Sequence, residues 1–190
     1  FVNVSDSRYL IPKRVLDVIL SAIALIIIAI PMLIIFVIMY LDDPGNIIFS
    51  QYRVGMGGRR FKLYKLRTMY HDTPKYMSTS EIDDPNKYIT RVGRILRRLS
   101  IDELPQLINV LKGDMSIVGP RPHMLFHTEM YLDVISKYMV RHFSKPGITG
   151  WAQVNGRDEL EIDVKAKFDG EYAAALNAGK GFAMDVKCFF

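Results

Sequence analysis

The chain has 190 residues, 49% of them hydrophobic and 24% charged, enough for one globular domain plus a membrane element and too few for two full-sized domains. Its 25 Lys and Arg outweigh 20 Asp and Glu, a net charge of +5, which suits an anionic membrane face or phosphorylated substrates; with no recognised nucleic-acid module or aromatic-basic array, nucleic acid is set aside as a partner. The single cysteine, Cys188, excludes an intrachain disulfide and reads as a buried apolar residue. Phe1 is not a methionine and residues 186–190 end in an apolar run, so both ends read as cut from something longer.

Residues 18–41 carry no charge over 24 positions, between Lys13, Arg14 and Asp17 on one side and Asp42, Asp43 and Pro44 on the other. About 20 apolar residues suffice to span a bilayer, and the segment lacks the short apolar core and cleavage site of a signal peptide. Pro31, near its middle, removes a backbone donor and bends a helix. The basic pair holds the first flank in the cytoplasm, so a straight crossing would carry everything after Asp42 outside the cell. If the downstream site uses a nucleotide-activated substrate, the segment should be a re-entrant helix broken at Pro31 with both ends cytoplasmic. Residues 1–44 then form the membrane element and its basic flank, and residues 45–190 a cytoplasmic catalytic domain.

Residues 47–54 and 61–69 read as two short strands joined by a glycine-rich turn, a hairpin. Period two places Lys65 and Arg67 on the face of Phe61 and Leu63, where an anion or a carboxylate should wait unless that strand end is simply solvated. Residues 71–87, with Pro74 and Pro85, read as a mobile loop and candidate lid. Residues 91–99 read as a short basic amphipathic helix, with Arg91 and Arg94 turned to water or lipid headgroups.

A helix is expected from about 102 to 112, stopped by Gly113. Ser100 and Glu103 have capping-box spacing, and Pro105 is tolerable only in a first turn. Asp102 and Glu103 therefore stand at a positive helix end, where acids cap and where anions also bind. Nearby Arg94, Arg97 and Arg98 favour a negative ligand over capping alone.

Residues 115–118 read as a strand delivering the stiff loop Gly119-Pro120-Arg121-Pro122, in which Pro120 and Pro122 fix the backbone and Arg121 offers a planar fork for phosphate. His123 and His127 are one helical turn apart but lack a third ligand, so they are not read as a zinc site. Residues 131–143 suit either a second membrane-contacting helix or a half-buried core helix. Residues 145–157 form a second loop in which Trp151, Gln153, Asn155 and Arg157 can stack or hydrogen-bond, a ligand loop set against a structural turn. A supporting helix is expected over 161–177. The whole is an α+β fold, a mainly helical globular domain with a small β-hairpin or sheet, anchored by the N-terminal membrane helix.

Five stretches in this order resemble a known family: Lys13-Arg14-Val15-Leu16-Asp17, Lys65-Leu66-Arg67-Thr68-Met69, Leu99-Ser100-Ile101-Asp102-Glu103-Leu104-Pro105-Gln106, Gly113-Asp114-Met115-Ser116-Ile117-Val118-Gly119-Pro120-Arg121-Pro122, and Pro146-Gly147-Ile148-Thr149-Gly150-Trp151-Ala152-Gln153-Val154-Asn155-Gly156-Arg157. They look like the bacterial sugar transferases, the monotopic phosphoglycosyl transferases. The resemblance implies transfer of a sugar-1-phosphate from a UDP-sugar to polyprenol (undecaprenyl) phosphate, with Mg2+, at the cytoplasmic face of the bacterial inner membrane, as a first step of surface-glycan synthesis. It implies Asp102 as nucleophile and Glu103 as partner acid, one or both holding the metal. Lys65, Arg67, Arg97, Pro120, Arg121, Pro122, Gln153, Asn155 and Arg157 are then the candidate substrate-binding residues.

The resemblance also implies the re-entrant helix and allows a homodimer. Where family members commonly have Ser-Pro or Pro-Pro at the bend, this chain has Ile30-Pro31, which leaves the freed carbonyl without the serine's local hydrogen bond. Two rivals stand beside this reading: a membrane-bound glycosyltransferase that releases UDP, and a non-catalytic membrane scaffold, against which both acids speak.

Overall fold

The structure is a computed structural model that describes residues 8–73, 84–134, 138–156 and 159–189. It opens with α1 (Leu10–Asp42), a 33-residue helix that runs through Pro31 as one element. An interior proline removes one hydrogen bond and bends a helix more often than it ends one, so the expected break does not appear as a gap between two helices. Ile26, Ile27 and Ile30 are among its exposed residues, at 76, 69 and 72%. Apolar on its outer face too, the helix is long and greasy enough to cross a membrane.

The hairpin forms as expected from β1 (Ile48–Val54) and β2 (Arg60–Leu66), antiparallel with Gln51 opposite Leu63. After it comes α2 (Arg91–Arg98), whose first turn is capped by the Thr90 hydroxyl accepting from the Gly93 N–H at 2.8 Å. Of the loop 71–87 proposed as a lid, residues 74–83 lie outside the described residues, and its end forms a 3₁₀ turn, Pro85–Tyr88. The helix expected over 102–112 is divided. A 3₁₀ turn, Ile101–Glu103, precedes α3 (Gln106–Lys112), which begins directly after Pro105 and ends at Gly113 in the left-handed region. The capping box does not form. Ser100 itself is left-handed, at φ 56, and its side chain does not cap the turn, while Glu103 turns its carboxylate to two cations instead.

The second half holds β3 (Ser116–Val118), α4 (Leu125–Val134), a 3₁₀ turn (Tyr138–Phe143), β4 (Gly147–Thr149), α5 (Trp151–Val154), α6 (Ile162–Asn177) and α7 (Gly181–Lys187). Part of the second loop is thus regular. β4 pairs in parallel with β3, Ser116 against Gly147 and Val118 against Thr149. A Cβ on Gly147 would sit 2.1 Å from the Gly119 nitrogen, so only glycine lets the two loops touch. Among the described residues of 131–143, the turn Tyr138–Phe143 faces the core and not a membrane: Tyr138, Arg141 and His142 are 0, 4 and 7% exposed, because this turn packs inward against α6.

Three small clusters form the core. Phe61 and Leu63 of the hairpin meet Val110 and Met115; Val118 meets Tyr172, Leu176 and Cys188; and Met39 of α1 meets Leu66 and Leu96. Full burial of such side chains contributes about 1.5–3 kcal/mol each. The far end of the membrane helix is therefore part of the domain's own core.

Its near end is fixed by polar contacts. Arg14 donates to the last-turn carbonyls of α3, Val110 at 2.5 Å and Leu111 at 2.9 Å, groups that a helix end leaves unpaired. The Asp17 carboxylate accepts from the Ile117 N–H of β3 at 3.0 Å. Lys13 Nζ lies 2.6 Å from Asp185 Oδ2 on α7, and the Tyr9 and Tyr172 hydroxyls reach the same carboxylate at 2.9 and 2.8 Å. The basic pair read as a topology signal is thus also a set of buried fasteners.

Candidate active site

Asn109 sets the site's foundation. Wholly buried on α3, it accepts from the Tyr64 N–H at 3.0 Å and donates to the Lys62 carbonyl at 2.6 Å, which fixes α3 against β2. That registers Lys65, on β2, opposite the turn that precedes α3. Lys65 Nζ lies 2.7 Å from Glu103 Oε1. From the other side Arg121 Nη2 donates to the same oxygen at 2.8 Å and Nη1 to Oε2 at 3.3 Å. Burial alone would raise the Glu103 carboxyl, but the hydrogen bonds and charges of Arg121 and Lys65 overcome it and hold it down at about 2.

Asp102, its neighbour, has a different environment. It is 8% exposed, and among the described residues no side chain hydrogen-bonds its carboxylate. Burial raises its pKa against the charges of Lys65 and Arg97, and Glu103 adds to the rise. Burial outweighs the positive helix end and the charges of Lys65 and Arg97, for the turn is a single 3₁₀ turn and both cations are engaged by other partners. The left-handed Ser100 stands two residues before it, the strained kind of backbone that persists where the surroundings enforce it.

The other sequence candidates divide. Arg97 donates from Nε to the Thr68 hydroxyl at 2.7 Å and stays within electrostatic reach of Asp102. Arg67 is engaged elsewhere: it pairs with the Asp43 carboxylate and donates to the Asp43 carbonyl, closing the turn after α1. A carboxylate did wait for each cation on that strand face, but a different one. Pro122 and Gln153 line a cavity of about 120 Å³ that opens beyond Arg121, and Pro120 lines the adjoining smaller one. Asn155 turns back to the Trp151 carbonyl at 2.8 Å and is exposed. Arg157 lies outside the described residues.

Residues that the sequence reading does not place in a substrate site furnish the rest of that cavity: Arg53, Arg141, Ala152, Lys165, Asp169 and His123, which the sequence pattern raises only as a zinc ligand. Arg141 is the hub. Its Nη1 is 3.0 Å from His123 Nδ1, its Nη2 donates to the Arg121 carbonyl at 2.8 Å and lies 3.1 Å from Asp169 Oδ2, and its guanidinium sits 4.8 Å above the Tyr138 ring. Burial pushes the His123 imidazole down to about 2, with the charges of Arg141 and Arg53 adding to the effect. Since Nδ1 also meets the Tyr138 hydroxyl at 2.5 Å, two donors share it and the neutral ring carries its proton on Nε2. Burial likewise lifts Asp169 to about 6 and lowers Arg53 to about 10. One signal was available in the sequence. Ala166, Asp169, Tyr172, Ala173 and Leu176 follow the buried face of α6, so a carboxylate stands in an apolar stripe.

Among the described residues no group of three or more His, Cys, Asp or Glu gathers as a metal cage. Mg2+ commonly takes one or two carboxylates and completes its shell with substrate phosphates and water. With both Glu103 oxygens held by cations, Asp102 is the carboxylate of the pair that fits such a role.

Comparison with known proteins bears on this arrangement. Residues 8–190 match the family model described as "Bacterial sugar transferase". The chain is 46% identical over 166 residues to the UDP-glucose:undecaprenyl-phosphate glucose-1-phosphate transferase of Escherichia coli (strain K12), covering 84% of this chain and 35% of the relative. It is 42% identical over 165 residues to the UDP-N-acetylgalactosamine-undecaprenyl-phosphate N-acetylgalactosaminephosphotransferase of Aeromonas hydrophila, 86% of this chain and 39% of the relative. It is 40% identical over 163 residues to the uncharacterized sugar transferase EpsL of Bacillus subtilis (strain 168), 86% of this chain and 78% of that one. The chain spans only about a third of the length of the first two. The chain belongs to the bacterial sugar transferase family.

Proposed function

We propose that this chain transfers a sugar-1-phosphate from a UDP-sugar to undecaprenyl phosphate, through a phosphosugar ester of Asp102 and with release of UMP, as a first membrane step of surface-glycan synthesis. The carrying observation is the division of the acid pair: Glu103 is clamped ionised between Lys65 and Arg121, while among the described residues no side chain hydrogen-bonds the Asp102 carboxylate. The names of the Escherichia coli and Aeromonas hydrophila relatives agree on phosphotransfer to undecaprenyl phosphate and differ in the sugar, so the shared chemistry is what comes over to this chain.

Asp102 attacks the sugar-bearing phosphorus, which splits one displacement into two easier ones. Glu103 holds Lys65 and Arg121 at the position where the donor's phosphoryl oxygens arrive, so their charge is preorganised. Mg2+, held by Asp102 and the donor's phosphates, would offset the negative charge that repels an approaching carboxylate. The acceptor's phosphate then displaces Asp102 and frees it for another cycle.

The site works at the cytoplasmic face of the inner membrane, on a re-entrant α1. Two facts support this topology. Lys13, Arg14 and Asp17 at one end of α1, and Met39, Asp42 and Asp43 at the other, all bind residues that follow the helix in the chain. A straight crossing would put about 30 Å of hydrocarbon between those two ends, whereas a bend at Pro31 returns both to one side.

Donor-treated protein, quenched before acceptor is added, should gain the mass of one phosphosugar, and Asp102→Asn should not. Release of UDP instead of UMP would show transfer of the sugar without its phosphate. Labelling of single cysteines at Arg8 and Gly45 from opposite faces of the membrane would refute re-entry.

A further inference from the structure

The 120 Å³ cavity that Arg121 helps to line gathers four cations, Arg53, Arg121, Arg141 and Lys165, around one acid, Asp169. It is below the several hundred Å³ of an ordinary ligand pocket and has the scale of a phosphate group, not of a whole nucleotide. Arg141 is saturated by His123, the Arg121 carbonyl, Asp169 and the Tyr138 ring. Arg53 is not. One of its Nη atoms donates to Gln51 at 2.8 Å, but its Nε is buried without a partner. Buried charges and unpartnered polar atoms are costly unless a ligand completes them.

We infer that this cavity seats the phosphate of the departing nucleotide, with Arg53 and Lys165 stabilising the charge that appears on it. The inference rests on the proposed function and adds to it the group that drives the first half-reaction. In that step an Asp102 oxygen forms a bond to the sugar-bearing phosphorus, and the bond from that phosphorus to the bridging oxygen breaks. The electron pair stays on the bridging oxygen, which becomes a terminal oxygen of UMP. No proton moves. The nucleotide's phosphorus carries one negative charge in the donor and two in free UMP, so cations there bind the products of cleavage more tightly than the donor. Such differential binding is what accelerates a step. Arg121 joins the two compartments, since it touches Glu103 and lines the cavity, and an in-line displacement asks for the leaving phosphate opposite the attacking Asp102.

The test uses the whole chain in detergent, with UMP as probe and with Arg53→Gln, Lys165→Gln and, as a control for general charge, Arg59→Gln on the exposed hairpin tip. UMP affinity should fall about tenfold or more in each of the first two variants, the loss expected for one charged hydrogen bond, and stay unchanged in the third. Adduct formation from the donor and its reversal by added UMP should slow together, whereas transfer from preformed adduct to undecaprenyl phosphate should not change. Lys165→Arg, which keeps the charge, should restore both rates. Equal UMP affinity in the variants would overturn the inference, and so would a raised KM for undecaprenyl phosphate with adduct formation intact, which would assign the cavity to the acceptor's phosphate. Should a variant fail to fold, wild-type protein decides: UMP must bind at least about tenfold more tightly than uridine, and equal affinity counts against the subsite. A wild-type protein that releases no UMP strikes the proposed function itself.

Discussion

Arg141 holds the main chain of Arg121: its Nη2 donates to the Arg121 carbonyl at 2.8 Å, from a side chain only 3% exposed and paired with Asp169. One arginine thereby aims another. Arg141→Lys keeps the charge but loses the two-armed fork that reaches His123 and Arg121 together. We expect kcat to fall on the order of tenfold to a hundredfold from the misplacement of Arg121, while the mass of the Asp102 adduct is unchanged. Steady-state kinetics beside intact-mass spectrometry checks both, and a kcat equal to wild type would make Arg141 a packing residue only.

The two acids should fail differently. Asp102→Asn should lose turnover by about a thousandfold or more, as loss of a nucleophile does, with little effect on folding. Glu103→Gln leaves Lys65 and Arg121 without their shared carboxylate, so donor capture and stability should fall together, by up to about 3–5 kcal/mol for a broken buried pair. A thermal melt of each variant alongside the turnover assay separates the outcomes. Identical behaviour of the two variants would contradict the division of roles.

Lys13 and Asp185 form a pair with side chains 9 and 11% exposed. Removing either partner alone strands a buried charge, at a cost of about 3–5 kcal/mol, whereas removing both can be far milder. Lys13→Met and Asp185→Asn should each lower Tm by several degrees, and the double variant should recover part of the loss. Additive losses in that double-mutant cycle would mean that the pair is not coupled.

Acid should destabilise the fold earlier than carboxylates alone would dictate. His123 is held near 2, far below its ordinary 6.5, and burial takes His142 to about 4. Below pH 6.5 the unfolded chain takes up protons that the native histidines refuse, so stability present above 6.5 is lost as pH falls. The limit is about 1.4 kcal/mol per pH unit for each histidine. Asp169 works the other way between its ordinary 3.8 and about 6, where the native carboxyl keeps a proton that the unfolded one has shed. Asp102, which burial also raises, works in the same direction as Asp169; the two histidines, His123 above all, outweigh them, so Tm should be level above pH 7 and decline from 6.5 to 5. Below 4.5 the loss steepens as the Glu103 clamp, at about 2, comes under protonation pressure. A Tm that does not move between pH 7 and 5 would remove His123 from this account.

Local signals carried much of the fold. Alternation found the hairpin, the basic amphipathic pattern of 91–99 gave α2, and Gly113 marked the end of α3. What sequence could not supply is pairing at a distance. Lys65 and Arg67 share one strand face, and nothing local says that one meets Glu103 and the other Asp43. Arg141 and Asp169 read as parts of two separate amphipathic segments until the 3₁₀ turn packs against α6. The capping box misled because its glutamate had a stronger offer: two cations bind a carboxylate better than one backbone N–H does.

Asp17 gives the membrane helix a direct hold on Ile117, two residues before the Gly119 turn. The anchor is therefore no tether of adjustable length. Replacing it by a foreign hydrophobic segment would remove these moorings and the core contacts of Met39. On the proposed function, a thicker or thinner bilayer would raise or sink α1 and the acid pair together, which keeps the chemistry at one depth relative to the acceptor's phosphate.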